Sequence, residues 1–190
     1  MTVTGVVLAA GGSSRLGTPK QLLPYRDTTV LGATLDAARR AGFDQLIVTL
    51  GGAADAVRDQ MPLDDADVVV VEDCGAGCSA SLRVALGRVD AEAAGIVLML
   101  GDQPGVDPAT LRRLITEGPD TDVAVCRYAD GVGHPFWFGR KVFGDLARLR
   151  GDKGVWKLVM SRPVRELSVD GPIPLDVDTW DDYRRLVESS

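Results

Sequence analysis

Two unbroken aliphatic runs, Val68-Val69-Val70-Val71 and Ile96-Val97-Leu98-Met99-Leu100, constrain this chain more than any other feature. A strand that is apolar at every position has to be covered on both faces, as in a parallel sheet with helices above and below it. The same alternation recurs around them. Val3–Ala9, Gln45–Leu50, Asp67–Val71, Gly95–Leu100 and Asp122–Arg127 read as strands. Between them Thr29–Ala41, Ala53–Gln60, Ser79–Val89 and Asp107–Glu117 carry helical spacing, with Leu31, Leu35 and Ala38 on one face of the first and Leu82, Ala85, Leu86 and Val89 on one face of the third. Gly42 is placed to end the first helix, and Asp107-Pro108 supplies an N-cap followed by proline at the first helical position. The pattern predicts an α/β fold of three layers, α/β/α, around a mostly parallel sheet with right-handed crossovers.

After Arg127 the pattern changes. Gly131, Gly133, Pro135, Gly139, Gly151 and Gly154 punctuate shorter elements, with helical spacing over Arg140–Arg150 and Lys153–Met160, a strand near Val164–Val169 and a last helix over Thr179–Val187. No linker, repeat or low-complexity stretch sets this part off. The expectation is one domain over 1–190, in which 1–127 form the main α/β part and 128–190 a substrate-facing part with a closing helix.

A formal charge of −6 over 190 residues excludes a general binder of nucleic acid or of membrane surfaces, because there is no surplus of cations to neutralise phosphates. Any polyanionic small molecule must therefore meet a few cations gathered at one place. Cys74, Cys78 and Cys126 form no disulfide framework, and with a single His in the chain they make no zinc set, which fits a reducing, cytoplasmic setting. Val6–Ala10 lacks the preceding basic residue and the length of a signal peptide, and no segment is long enough to span a membrane.

The first strand runs into Leu8-Ala9-Ala10-Gly11-Gly12-Ser13-Ser14-Arg15-Leu16-Gly17-Thr18-Pro19-Lys20. Small residues let the backbone approach a ligand, successive N–H groups can face an anion, and Arg15 and Lys20 add fixed positive charge. The position suits this chemistry, since ligands of open α/β sheets bind beyond the carboxyl ends of the strands. The dinucleotide fingerprint fails because Gly17 is the next glycine after Gly11-Gly12, and the Walker loop fails because Gly17 is followed by Thr18-Pro19-Lys20. The full stretch from Leu8 to Pro24, L-A-A-G-x-S-x-R-x-G-x-x-K-x-L-L-P, resembles the nucleotidyltransferase family with a GT-A-like variant of the Rossmann fold. It is most similar to the molybdenum cofactor cytidylyltransferase branch. That resemblance implies a loop, Leu8 to Ser13, wrapped around a triphosphate, with Arg15 and Lys20 as catalytic cations that neutralise the departing pyrophosphate.

Leu100-Gly101-Asp102-Gln103-Pro104 follows the strongest buried strand. A carboxylate on a turn made rigid by Pro104 suits Mg²⁺, which takes one or two carboxylates and fills its shell with water and phosphate oxygens. The G-D-Q-P tetrad resembles the same family, where its Asp binds the metal. Pro174-Leu175-Asp176-Val177-Asp178-Thr179 resembles the family's closing D-I-D-T segment, which makes Asp178 the expected second ligand and Asp176 the reserve, while Asp178 or Thr179 is also placed to cap the last helix.

Cys74-Gly75-Ala76-Gly77-Cys78-Ser79-Ala80-Ser81-Leu82-Arg83 is similar to the family's base-reading segment G-x-S-S-S-L-R and departs from it at Cys78 and Ala80. Gly75, Ser79 and Ser81 are its candidates, and Ser79 serves equally as a helix cap. L-A-A-G with G-D-Q-P favours CTP, whereas the guanylyltransferase branch has L-A-G-G and C-D-x-P. Gly133-His134-Pro135 lies on the acceptor side in the family, so His134 is a candidate contact to a pterin or its phosphate. Gly151-Asp152-Lys153-Gly154-Val155-Trp156 resembles G-D-x-G-A-R, but Trp156 stands where Arg is usual: either Lys153 substitutes, or the acceptor differs. The expected reaction is transfer of CMP from CTP to the phosphate of molybdopterin, with a molybdoenzyme as a further recipient. The alternatives are another phosphorylated acceptor or GTP, and a non-catalytic chaperone that hands cofactor to a partner.

Overall fold

A computed structural model describes residues 1–72 and 77–189, and the expectation for Gly75 lies outside the described residues. The strands are β1 (Thr2–Ala9), β2 (Pro24–Tyr25), β3 (Thr28–Thr29), β4 (Gln45–Leu50), β5 (Asp67–Val70), β6 (Ala93–Leu100), β7 (Val123–Tyr128), β8 (Gly131–Gly139) and β9 (Arg165–Ser168). The helices are α1 (Val30–Ala41), α2 (Ala54–Gln60), α3 (Cys78–Leu86), α4 (Pro108–Glu117), α5 (Phe143–Arg148), α6 (Gly154–Met160) and α7 (Trp180–Glu188).

Seven strands form one sheet in the order β5-β4-β1-β6-β8-β7-β9, while β2 and β3 make a separate hairpin. Every neighbouring pair in the sheet is parallel except those that involve β8, which runs antiparallel to both β6 and β7. The aliphatic runs divide between two cores as a doubly covered sheet requires. Val97 and Met99 of β6 pack with Leu31, Leu35, Leu111 and Leu114 from α1 and α4. Ile96 and Leu98 pack with Leu82, Leu146, Val155 and Leu158 from α3, α5 and α6. The three-layer, mostly parallel architecture is therefore the expected one.

Local signals act as their chemistry dictates. Gly42 ends α1 in the left-handed region at φ 84°, and Asp107 caps α4 by accepting from the Ala109 N–H with Pro108 in the first turn. The strand β8 departs from expectation. Its glycines and Pro135 read as breakers, yet Gly131–Gly139 form the longest strand. The pairing jumps from Val125–Phe136 to Cys126–Gly133, so His134 and Pro135 stand outside the ladder, where a proline costs no hydrogen bond. The hairpin β2–β3 was not expected either.

The order of strands sets the place of the site. From β1 the chain moves outward through β4 to β5 and then returns to lay β6 on the other side of β1. The loops after β1 and β6 thus diverge from adjacent strand ends, leaving a crevice between them.

Candidate active site

One hydrogen bond and one close packing contact weld the floor of this crevice. The Gly101 N–H donates to the Leu8 carbonyl at 2.8 Å, carrying the β1–β6 ladder past the end of β6. A Cβ on Gly101 would lie 2.7 Å from Ala9 Cβ and 3.1 Å from Leu31 Cδ1, so a glycine is required where the two strand ends meet. Asp102 follows directly and is aimed by this packing.

The loop after β1 is braced from within. Gln21, 3% exposed, donates its side-chain amide to the carbonyls of Ala9 (2.7 Å) and Gly11 (3.2 Å). Ser13 takes the left-handed region at φ 49°, its Oγ accepts from the Lys20 N–H at 3.0 Å, and its carbonyl accepts from Leu16 and Gly17. Among the described residues the N–H groups of Gly11 and Gly12 donate to no protein acceptor, which leaves them available to an anion.

The second carboxylate arrives on a tethered strap. The Val177 N–H donates to the Asp102 carbonyl at 3.1 Å, and the buried Gln103 donates to the Pro174 carbonyl at 3.2 Å. Thr179 caps α7 in a reciprocal box with Asp182, so the capping duty falls on Thr179 and the Asp178 carboxylate turns to Lys20 instead. The α7 helix is pinned in turn by Val177 and Leu186, packed with Leu16, Leu23, Tyr25 and Val30, and by Tyr183 Oη donating to the Pro24 carbonyl at 2.6 Å.

Lys20 joins these parts. Its Nζ lies 2.5 Å from Asp102 Oδ2 and 2.8 Å from Asp178 Oδ1 with only 11% of the side chain exposed. Burial works to lower its pKa, but the charge and hydrogen bond of Asp102, then those of Asp178, outweigh it and the pKa is raised. Asp176 flanks the pair; desolvation, followed by the charge on Asp102, pushes its carboxyl up to about 6. Arg15 is exposed at the same cleft and makes no ion pair or hydrogen bond among the described residues.

These groups line one cleft of about 560 Å³, within the usual range for a small-molecule site. Leu8, Ala9, Ala10, Gly11, Gly12, Ser13, Arg15, Lys20, Ser81, Asp102 and Asp178 all line it, so the distant segments named from the sequence converge. Other expected residues stand elsewhere. Ser79 is 1% exposed and donates its hydroxyl to the Gly151 carbonyl at 2.5 Å, joining α3 to the turn before α6 instead of facing the cleft. His134 is 6% exposed and lies behind the lining, its ring 4.1 Å from Phe136, and burial drives its pKa down to about 3. Lys153 is exposed on the turn before α6 and does not line the cleft. Sequence reasoning missed Gln21 and Asp152, which line the cleft, and Gln103, which tethers its strap, while Trp156, read only as the residue standing where Arg is usual, lines the cleft as well; the polar side chains of Gln21 and Gln103, set inside apolar or rigid motif segments, were the available signal.

Asp102 and Asp178 fit a divalent cation. Both are hard oxygen donors, and a single ammonium already bridges them. Among the described residues no group of three or more His, Cys, Asp or Glu is placed to hold a metal ion, so the candidate donors are these two carboxylates alone. Cys78 borders the cleft as a thiol whose pKa is raised by desolvation and by the charges on Asp152 and Asp102, which makes it a poor nucleophile. Among the described residues no helix is long and apolar enough to cross a membrane.

Over most of its length the chain is similar to several known proteins. The crystal structure of Rv0371c from Mycobacterium tuberculosis H37Rv is 77% identical over 99% of this chain and 98% of that one, with a TM-score of 0.96. A manganese complex of Rv0371c is 74% identical over the whole of both chains, with a TM-score of 0.93. Nicotine blue oxidoreductase from Paenarthrobacter nicotinovorans is 36% identical over 97% of this chain and 96% of its own length. The bifunctional protein GlmU of Trichlorobacter lovleyi is 29% identical over 76% of this chain, which spans only 32% of GlmU. The family model described as the MobA-like NTP transferase domain matches residues 5–166, and the chain belongs to that family of nucleotidyltransferases.

Proposed function

We propose that the protein transfers CMP from CTP to the terminal phosphate of molybdopterin, giving the cytosine dinucleotide and pyrophosphate. The observation that carries the reading is the meeting of Lys20, Asp102 and Asp178 within 2.8 Å in a cleft that also holds Arg15. An oxygen of the acceptor phosphate attacks the α-phosphorus of CTP as the bond to the pyrophosphate oxygen breaks. The Gly11 and Gly12 N–H groups face the triphosphate, and Arg15 and Lys20 take up the negative charge that grows on the leaving side. Asp102 and Asp178 would hold Mg²⁺, which when bound neutralises the phosphate oxygens; the manganese complex of Rv0371c supports a divalent ion. Positioning and charge suffice for such a transfer, so no dedicated base is required.

Ser81 is the candidate on the cleft for reading the base, and Gly75 keeps that role on resemblance alone. Lys153 would meet an acceptor phosphate from the turn before α6, and His134 would act by supporting Trp156. The chain works as one domain over 1–190 in the cytoplasm, with no nucleic acid or membrane partner and with a molybdoenzyme as recipient of the product. GTP and other phosphorylated acceptors remain within the same chemistry.

A second reading has its own support. The relative aligned over 97% of this chain is named an oxidoreductase, so the cleft could serve a redox reaction. A cofactor chaperone without turnover is the third. Pyrophosphate release separates them: purified protein with molybdopterin, Mg²⁺ and CTP or GTP should liberate pyrophosphate fastest with CTP, and Lys20→Ala or Arg15→Ala should slow it by about 10²–10³-fold. No pyrophosphate with either nucleotide rejects molybdopterin as the acceptor, and repeating the assay with a sugar phosphate then tests the transferase chemistry itself.

A further inference from the structure

The part of the cleft formed by Asp152 and Trp156 differs in kind from the rest. Trp156 lines the cleft half-buried, and its ring stands perpendicular to two rings behind it: Phe136 at 5.2 Å and 89°, and His134 at 5.9 Å and 87°. Phe136 and His134 are themselves buried, at 0% and 6% exposure. An aromatic side chain edge-packed on a rigid base loses little further freedom when a ligand stacks on it. The indole N–H has no acceptor among the described residues.

Asp152 is fixed as well. Its Oδ1 accepts the Cys78 N–H at 3.0 Å, standing in for the side-chain cap that Gly77 cannot supply at the start of α3. No cation pairs with Asp152 among the described residues. This patch therefore offers a flat apolar face, one N–H donor and a carboxylate acceptor that forms no ion pair among the described residues. A phosphate placed here would meet an uncompensated carboxylate. A neutral, planar heteroaromatic ring bearing N–H donors meets a stacking face and an acceptor.

We infer that Trp156 and Asp152 form a ring-recognition subsite, Trp156 stacking on the planar heteroaromatic part of the acceptor and Asp152 accepting its N–H groups. Trp156 is then the residue that selects an aromatic acceptor over a sugar phosphate, and the change from the Arg of the resembling motif exchanges an anion contact for a stacking one. The inference rests on the transferase reading for calling this ligand the acceptor, but the binding it describes is measurable without turnover.

The test is calorimetric titration of the full chain with 6-hydroxymethylpterin, a planar N–H-rich probe, and with glucose 1-phosphate, a non-aromatic one. Trp156→Ala should weaken the pterin by roughly tenfold or more, the usual scale for losing one ring from a stacked pair. Trp156→Phe should stay within a few-fold of wild type, since a ring remains. Trp156→Arg should lose the pterin and gain glucose 1-phosphate. Asp152→Asn, which keeps an oxygen for the Cys78 N–H, should also weaken the pterin. Urea midpoints and CTP titrations of each variant separate a folding defect from a lost contact, and the Phe–Arg pair carries the test if the alanine variant is unstable. Unchanged pterin affinity in Trp156→Ala, a wild type that prefers glucose 1-phosphate, or a wild type that binds neither probe overturns the inference. Failure of pyrophosphate release with the pterin pattern intact would instead overturn the transferase reading alone.

Discussion

An ammonium held 2.5 Å from one carboxylate and 2.8 Å from another is the smallest unit of this site. Removing one acid leaves the other and Lys20 paired, but it halves the donor set for a divalent ion. Asp102→Asn and Asp178→Asn should each weaken Mn²⁺ binding about tenfold or more by calorimetry, while Asp176→Asn should change it far less; the reverse ranking of Asp178 and Asp176 would exchange their roles. His134 tests burial on its own. Its folded pKa of about 3 lies below the ordinary 6.5, so the unfolded chain binds a proton that the folded chain refuses. The stability this neutral ring contributes is full above about pH 6.5 and is lost as pH falls toward 3, at up to about 1.4 kcal/mol per pH unit. Urea unfolding should show wild type losing ground to His134→Gln across that window, and parallel pH profiles would show that the imidazole is not buried neutral. At this scale Lys20, Asp102 and Asp178 were legible because each sits in a motif with its own chemistry. His134, expected on the acceptor side, is instead buried behind Trp156, which lines the cleft, since no spacing rule says which of two aromatic groups in different segments ends in front of the other.

Three elements bring these side chains together, and each does so through a contact that composition alone would not single out. The β6 end is locked to the β1 end at Gly101, where an added methyl meets Ala9 and Leu31. Gly101→Ala should therefore cost about 1–3 kcal/mol in urea unfolding and displace Asp102, with reduced Mn²⁺ affinity as the second readout; a neutral effect on both would show that the strand ends tolerate separation. The strap 174–178 hangs on the Asp102 carbonyl and the Gln103 amide, so the Gln of the G-D-Q-P turn acts as a tether. Asp152 caps α3 from 74 residues away, and Asp152→Ala should cost about 1 kcal/mol of stability. The strands β1, β4, β5, β6, β7 and β9 and the helix caps at Gly42 and Asp107 were readable from period and punctuation. Strand β8 was not, because its glycines and Pro135 are breakers by composition and are tolerated only where the pairing slips between Val125 and Cys126.

At the scale of the whole molecule, a doubly covered sheet with its reversal between β1 and β6 dictates where a ligand can bind, and the sequence places the cationic loop and the acidic turn on those two strands. What periodicity leaves open is the far side of β6, where β8, β7 and β9 complete the sheet and the second half of the chain turns toward the cleft. The proposed metal site has two aspartates from distant positions holding one divalent ion against the phosphates of a bound nucleotide. Its most direct test is the CTP affinity of wild type and of the Asp102→Asn/Asp178→Asn double variant, titrated once with Mg²⁺ and once with EDTA. Mg²⁺ should tighten CTP binding by about tenfold or more in wild type, and the double variant should lose this gain. Equal affinity of the wild-type protein for CTP with and without the metal would contradict it.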